Sequence, residues 1–186
     1  PGKKIIYNMG RLVPYKGYHH LIQAMALLPE EYILWIGGDG PLRAELEALV
    51  RELGLEQRVE ILGYVPSAMK PVYFGACDLF CLSSTMKTEA YAIVQVEDMS
   101  LGRPIVATEI PESGVSWVNA HGVSGLNVPV EDASAMAKAI REICENPDTW
   151  QLYSRGARQR YYDVFTKVEM INRLIEIYTD LLAQTD

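Results

Sequence analysis

Two carboxylates eight positions apart, Glu89 and Glu97, are the residues in this sequence best suited to chemistry. A helix-like run opens near Ala92, so Glu89 falls in the loop before it and Glu97 inside it, at different depths of one cleft. Glu97 sits among apolar residues, where a charge needs a reason or a partner, and a salt-bridged helix carboxylate is the plainer account of it. Two cations form a second group. Gly10-Arg11-Leu12 and Lys16-Gly17 lie just ahead of another helix-like run. A flexible glycine, two positive side chains and a helix N-terminus are what a phosphate site requires, although arginine and lysine in a loop are more often only solvated.

Two further loops carry glycine. Gly37-Gly38-Asp39-Gly40-Pro41 permits positive φ and close approach of a ligand, with Pro41 suited to a first helical turn; a tight strand-to-helix turn is the alternative. Arg43 fills the register of the third glycine in a GxGxxG pattern, which disfavours NAD. Gly63-Tyr64-Val65-Pro66, with Ser67 as the expected N-cap, offers either a backbone edge for a planar base or a capped turn with Tyr64 at the surface.

These loops need elements to hold them. Short β-rich runs at Lys4–Met9, Tyr32–Ile36, Val59–Leu62, Leu79–Leu82, Pro104–Thr108 and Gly125–Val128 alternate with helical patterns at Tyr18–Leu28, Pro41–Leu53, Ser67–Ala76, Ala92–Leu101 and Gly114–Ala120. Wholly apolar strands such as Ile33-Leu34-Trp35-Ile36 ask for helices on both faces, so the expectation is an α/β fold, a Rossmann-like doubly wound parallel sheet of six strands followed by helices. In such sheets ligands bind outside the carboxyl ends of the strands, where the four loops fall. The tail is helical: Asp132 caps Ala133–Glu145, a second helix covers Asp148–Tyr162, and a third runs from Lys167 to about Gln184. Ile171, Leu174, Ile175, Tyr178, Leu181 and Leu182 stripe that last helix; docking on this domain's own sheet is the simpler expectation, crossing to a neighbouring domain the other.

At 186 residues the chain is expected to form one domain, 1–186, and its opening Pro1-Gly2-Lys3-Lys4 runs almost directly into a strand, which suggests further sequence upstream. The net charge of −7 opposes nucleic acid or an anionic membrane as an extended partner, while Lys3, Lys4, Arg11 and Lys16, crowded near the start, leave room for a small anion. Cys77, Cys81 and Cys144 form neither an even set nor a CxxC pair and read as reduced core residues. No signal peptide is recognisable and no apolar run approaches the ~20 residues of a membrane span, so the expected location is cytoplasmic, with a peripheral membrane role open to a missing part. His19-His20 read as surface or packing residues, and no Asp-x-Asp or His/Cys cluster nominates a metal.

Taken together, Gly10-Arg11-Leu12 with Lys16-Gly17, Gly38-Asp39-Gly40-Pro41, the Glu89/Glu97 E-x7-E spacing, and Gly122–Pro129 followed by Asp132 resemble the C-terminal, donor-binding domain of retaining glycosyltransferases of family 4, built from two facing Rossmann-like halves. The resemblance spans nearly the whole chain. It implies a nucleotide-sugar donor, UDP- or GDP-linked, a retaining transfer to an acceptor hydroxyl, no cofactor and no bound metal. It also implies an N-terminal domain of the same enzyme that is absent here and binds the acceptor, whether glycan, lipid or small molecule. By resemblance Arg11 and Lys16 neutralise the diphosphate, Glu97 takes the ribose hydroxyls, and Glu89 faces the sugar. Gly10, Gly38, Gly40 and Gly63 line the site, and the backbone of Ala90, Tyr91, Ala92, Ile93 and Val94 approaches the sugar and phosphate. The family usually carries glycine where this sequence has Ala92, so a backbone needing positive φ there would weaken binding or change the donor. A non-catalytic sugar-nucleotide-binding module is one alternative. An epimerase or a phosphorylase of related architecture is another, although no motif nominates a pyridoxal lysine.

Overall fold

The computed structural model describes residues 2–183. Six strands, β1 (Lys4–Met9), β2 (Tyr32–Gly37), β3 (Val59–Gly63), β4 (Leu79–Leu82), β5 (Ile105–Glu109) and β6 (Gly125–Pro129), form one sheet in the order β3-β2-β1-β4-β5-β6. Every pairing is parallel. The strand order reverses between β1 and β4, and this is where a doubly wound sheet opens a crevice at its carboxyl edge.

Alternation along β1 divides the interior. Ile6 joins one core with Leu21 and Ile22 of α1 (Tyr18–Ala26), Leu46 of α2 (Arg43–Glu52), and Met136 and Ile140 of α6 (Ala133–Cys144). Tyr7, pointing the other way, joins Phe80 of β4, Phe74 of α3 (Lys70–Ala76), Met99 of α4 (Ile93–Met99), Val115 of α5 (Val115–Val118) and Ala157 of α7 (Pro147–Arg160). Both sheet faces are thus covered, as the apolar strands require.

Helix starts follow local chemistry. Asp132 accepts the Ala135 N–H at 2.8 Å, the expected cap, and Asn146 caps α7 by accepting from Asp148 and Thr149. Ser67 does not cap. The chain enters α3 through a 3₁₀ turn, Ser67–Met69, in which Pro66 O takes the Met69 N–H that a Ser67 cap would have received. The helix expected to continue to Tyr162 is α-helical only to Arg160 and then widens into a π turn, Tyr161–Phe165.

Three other expectations are corrected. The final helix, α8 (Lys167–Ala183), does not dock on this sheet: none of its residues is buried, and Ile171, Leu174, Ile175 and Tyr178 are more than half exposed. The proposed basic cluster is divided, since strand β1 carries Lys3 and Lys4 to the amino edge of the sheet, where they bond to Glu30 O and Tyr32 Oη, and leaves Arg11 and Lys16 at the other edge. In the second glycine loop only Gly38 has positive φ, 142°. Cys77 and Cys81 are buried, Cys144 is half-buried, and all three are free. Pro1 and Gln184 lie outside the described residues. Among the described residues no helix is long and apolar enough to cross a membrane.

Candidate functional site

The loops after β1 and β4 are joined at the switch point. Ser83 Oγ donates to Lys16 O at 2.8 Å, Thr85 N–H donates to Tyr15 O at 2.8 Å, and Asn8 on β1 reaches Ser83 Oγ at 3.3 Å. Gly17 makes this closeness possible, because it holds φ 62° and a Cβ there would lie 2.2 Å from Ser83 O. The junction aims Lys16 at Glu89: Lys16 Nζ pairs with Glu89 Oε2, both side chains about one-tenth exposed, and Ser84 Oγ donates to the same oxygen at 2.7 Å. Lys16 also lies against Gly10, where a Cβ would meet its Cε at 3.1 Å.

The glycine loop closes one wall. A Cβ on Gly38 would fall 1.9 Å from Gly10 O and one on Gly40 2.6 Å from Leu12 O, so these two glycines serve close backbone packing between the β1 and β2 loops. Gly38 N–H also donates to Gly63 O at 2.7 Å, which occupies that carbonyl; Tyr64 beside it is 78% exposed. Arg11 is exposed on this rim, and no hydrogen bond or ion pair of its side chain occurs among the described residues.

Glu97 has a different partner from Glu89. It lies on α4 and takes Lys70 Nζ at 3.1 and 3.3 Å, on a cleft of about 500 Å³ between α3 and α4 whose other walls include Ser67, Phe74, Ile93 and Phe165. Each glutamate has its own lysine, Lys16 for Glu89 and Lys70 for Glu97. The approach to α4 is strained. Ala92 is its N-cap in the left-handed region, φ 52° and ψ 67°, a conformation costing an L-residue ~1–2 kcal/mol. Tyr91 and Ile93 beside it are exposed, and Val94 is half-buried.

Four participants escaped the sequence reading. Ser84 and Lys70 partner the glutamates, and Ser113 and Gly114 bond the Glu89 loop from behind. Serines after an apolar strand and a lysine opening a helix were the available signals, but both are common on any α/β surface. Adjacent to Glu97, Asp98 is fully buried; it accepts the Cys77 thiol at 3.7 Å, its Oδ2 has no partner, and burial pushes its carboxyl well above the usual range. His19 pairs with Glu45 at 2.7 Å, and no group of three His, Cys, Asp or Glu side chains among the described residues could hold a metal.

The family model for glycosyl transferases group 1 matches residues 1–160, which takes in every loop described above. The chain belongs to that family. Similar glycosyltransferases include the O-antigen chain mannosyltransferase C of Escherichia coli, 31% identical over 97% of this chain and 48% of the relative. The D-rhamnosyltransferase WbpZ of Pseudomonas aeruginosa is 34% identical over 89% of this chain and 42% of its own length. Among solved structures, Anabaena HepE in complex with UDP superposes with a TM-score of 0.88 at 28% identity, covering 96% of this chain and 49% of HepE. The same protein with UDP-glucose gives 0.86 at 27% identity over the same shares. The chain spans about half the length of the glycosyltransferases it matches.

Proposed function

We propose that this chain is the C-terminal donor half of a two-domain retaining glycosyltransferase, 1–186, and holds a UDP- or GDP-linked sugar at the β1/β4 switch point. The observation that carries the reading is the Lys16–Glu89 pair, a cation and a carboxylate brought together at the crevice of the sheet and nine-tenths buried. In this reading Lys16 and Arg11 lie along the diphosphate and match the charge that grows on it as the glycosidic bond breaks, which favours the transition state over the bound donor. Glu89 orients a sugar hydroxyl and steadies positive charge at the anomeric carbon. Glu97, aimed by Lys70, accepts the ribose hydroxyls. Gly10, Gly38, Gly40 and Gly63 line the site, their close packing bringing the β1 and β2 loops together beside the nucleotide, and the N–H groups of Tyr91 to Val94 approach the sugar and phosphate. The complexes of HepE with UDP and with UDP-glucose support a nucleotide-sugar donor.

In this reading the other wall belongs to an N-terminal domain that presents the acceptor, and the exposed apolar residues Ile171, Leu174, Ile175 and Tyr178 of α8 are candidates for contact with it. Donor alone binds this chain weakly and no sugar moves, since rate in such a reaction comes from holding donor and acceptor together away from water. Thermal stabilisation against a panel of UDP-, GDP- and ADP-sugars tests the reading, because stability rises with free ligand over dissociation constant, ~2.7 kcal/mol at a hundredfold excess. A graded response led by one nucleotide is expected; no stabilisation by any of them refutes a donor domain.

A further inference from the structure

The Glu89 loop is held on two sides, and only one of them belongs to the site described above. Its carboxylate faces Lys16 and Ser84, but its backbone is tied to the loop that follows β5. Ser113 Oγ donates to Glu89 O at 2.5 Å, and Gly114 N–H donates to Ala90 O at 2.8 Å. Lys87 and Glu112 pair at 2.7 Å one step further out, so positions 87, 89 and 90 meet 112, 113 and 114 in order. The Ser113 hydroxyl is itself fixed, because it accepts the Val115 N–H at 3.2 Å. Gly114 adds a steric limit: a Cβ there would stand 2.8 Å from Ala90 O. From Val115 O the tie continues to Gln95 Nε2 on α4, at 3.4 Å.

The loop needs such a tie. From the end of β4 at Leu82 to the start of α4 at Ile93 the chain has no regular structure, and it ends in the left-handed Ala92. The Lys16 and Ser84 contacts restrain the tip of the Glu89 side chain, the start of the loop is tied at Ser84 and Thr85, and the Glu89 N–H closes a local turn onto Met86 O. The two main-chain acceptors bonded to the 113–114 turn add the tie that fixes the Glu89 and Ala90 backbone against a second loop. We propose that Ser113 and Gly114 are positioning residues for the reaction: they set where the Glu89 carboxylate and the Ala90–Ala92 backbone stand against the donor sugar. The proposal rests on the assignment of Glu89 to the sugar.

In the full-length two-domain protein, S113A removes the bond to Glu89 O, G114A pushes Ala90 away, S113T restores the hydroxyl, and E89Q tests the underlying assignment. Turnover and KM are read with UDP-glucose and GDP-mannose as donors, UDP and GDP affinities by calorimetry, and deuterium exchange of the peptide 86–92 by mass spectrometry. Misplacement of a reacting group by about 1 Å costs on the order of 100-fold, so S113A and G114A are expected to lose ~10- to 100-fold in kcat. Nucleoside diphosphate affinity and melting temperature should hold in S113A, S113T should recover most of the turnover, and exchange of 86–92 should quicken in S113A but not in S113T. If E89Q cripples turnover while S113A and G114A do not, the positioning role is wrong and the Glu89 assignment stands. If E89Q turns over normally, the assignment fails and takes this proposal with it. Exchange of 86–92 unchanged in S113A overturns the proposal even where neither donor is turned over.

Discussion

Lys16→Met isolates the central pair. The substitution keeps an unbranched stem of similar length against Gly10 and leaves the Glu89 carboxylate with the Ser84 hydroxyl as its remaining side-chain donor. Both side chains are about one-tenth exposed, so water screens the loss poorly. Breaking a buried pair by removing one partner costs ~3–5 kcal/mol, and the surviving Ser84 bond places this case near the lower end. For a domain of 150–250 residues each kcal/mol moves the melting point by ~2–4 °C, so a loss of ~3 kcal/mol is a fall of roughly 6–12 °C. Glu89→Gln in the same chain removes the second charge while its amide oxygen still accepts from Ser84. The double variant should therefore recover most of the stability, with a coupling energy above the ~0.3–0.5 kcal/mol scatter of independent sites. Urea unfolding of the four proteins gives the cycle. Additive single losses, or a Lys16→Met loss below ~1 kcal/mol, would mean that the pair behaves as a surface ion pair, and the burial argument would fail.

Glu97→Ala should weaken UDP or GDP binding by ~1.5–3 kcal/mol, the scale of a hydrogen bond to a charged group, as read by calorimetry; an unchanged affinity removes Glu97 from the ribose. Among the described residues the Arg11 side chain has no hydrogen-bond or ion-pair partner while Lys16 is already paired, so Arg11→Gln should flatten the salt dependence of that binding more than Lys16→Gln does, and the reverse order would mean that the diphosphate displaces Glu89 from Lys16. Asp98 has a folded pKa raised by burial, so the native state holds its proton more tightly than the unfolded chain. Its contribution to stability is complete below the unfolded value of ~3.9 and is lost as pH climbs toward the folded value. Melting curves should accordingly show Asp98→Asn gaining on the parent as pH rises above ~4, and a constant difference across pH would show that the carboxyl titrates normally in the fold.

The strands were readable because each is a short apolar run between turn residues, and a parallel sheet buried on both faces demands that pattern. Sheet order placed the β1 and β4 loops side by side, so reading residues after each strand as one group put Lys16 with Glu89, and the two pair in the fold. What remained hidden was tertiary pairing. Nothing local to Lys70 points to Glu97, 27 positions away, and Ser113 meets Glu89 only because β5 lies next to β4. The glycines were legible as close approaches, but the partner that forbids a side chain at Gly38 is the backbone of Gly10, in another loop. Ala92 is the reverse case. Its left-handed backbone is a position where glycine is at ease, and the alanine there conflicts with local preference, which marks a conformation held by its surroundings.

Those surroundings also set the electrostatics of the site. Lys16 is matched by Glu89 and Lys70 by Glu97, so the two inner lysines bring no net charge to a donor. In the proposed reading a diphosphate entering the crevice meets Arg11, a cation with no side-chain partner among the described residues, and finds Lys16 only by sharing it with Glu89. Sharing is useful if Glu89 faces the sugar. In that reading, as the bond to the diphosphate breaks, negative charge would grow on the phosphate side of Lys16 and positive charge on the sugar side of Glu89. The existing pair then polarises along the reaction coordinate without moving, the kind of fixed-dipole stabilisation that costs no reorganisation at the moment of reaction.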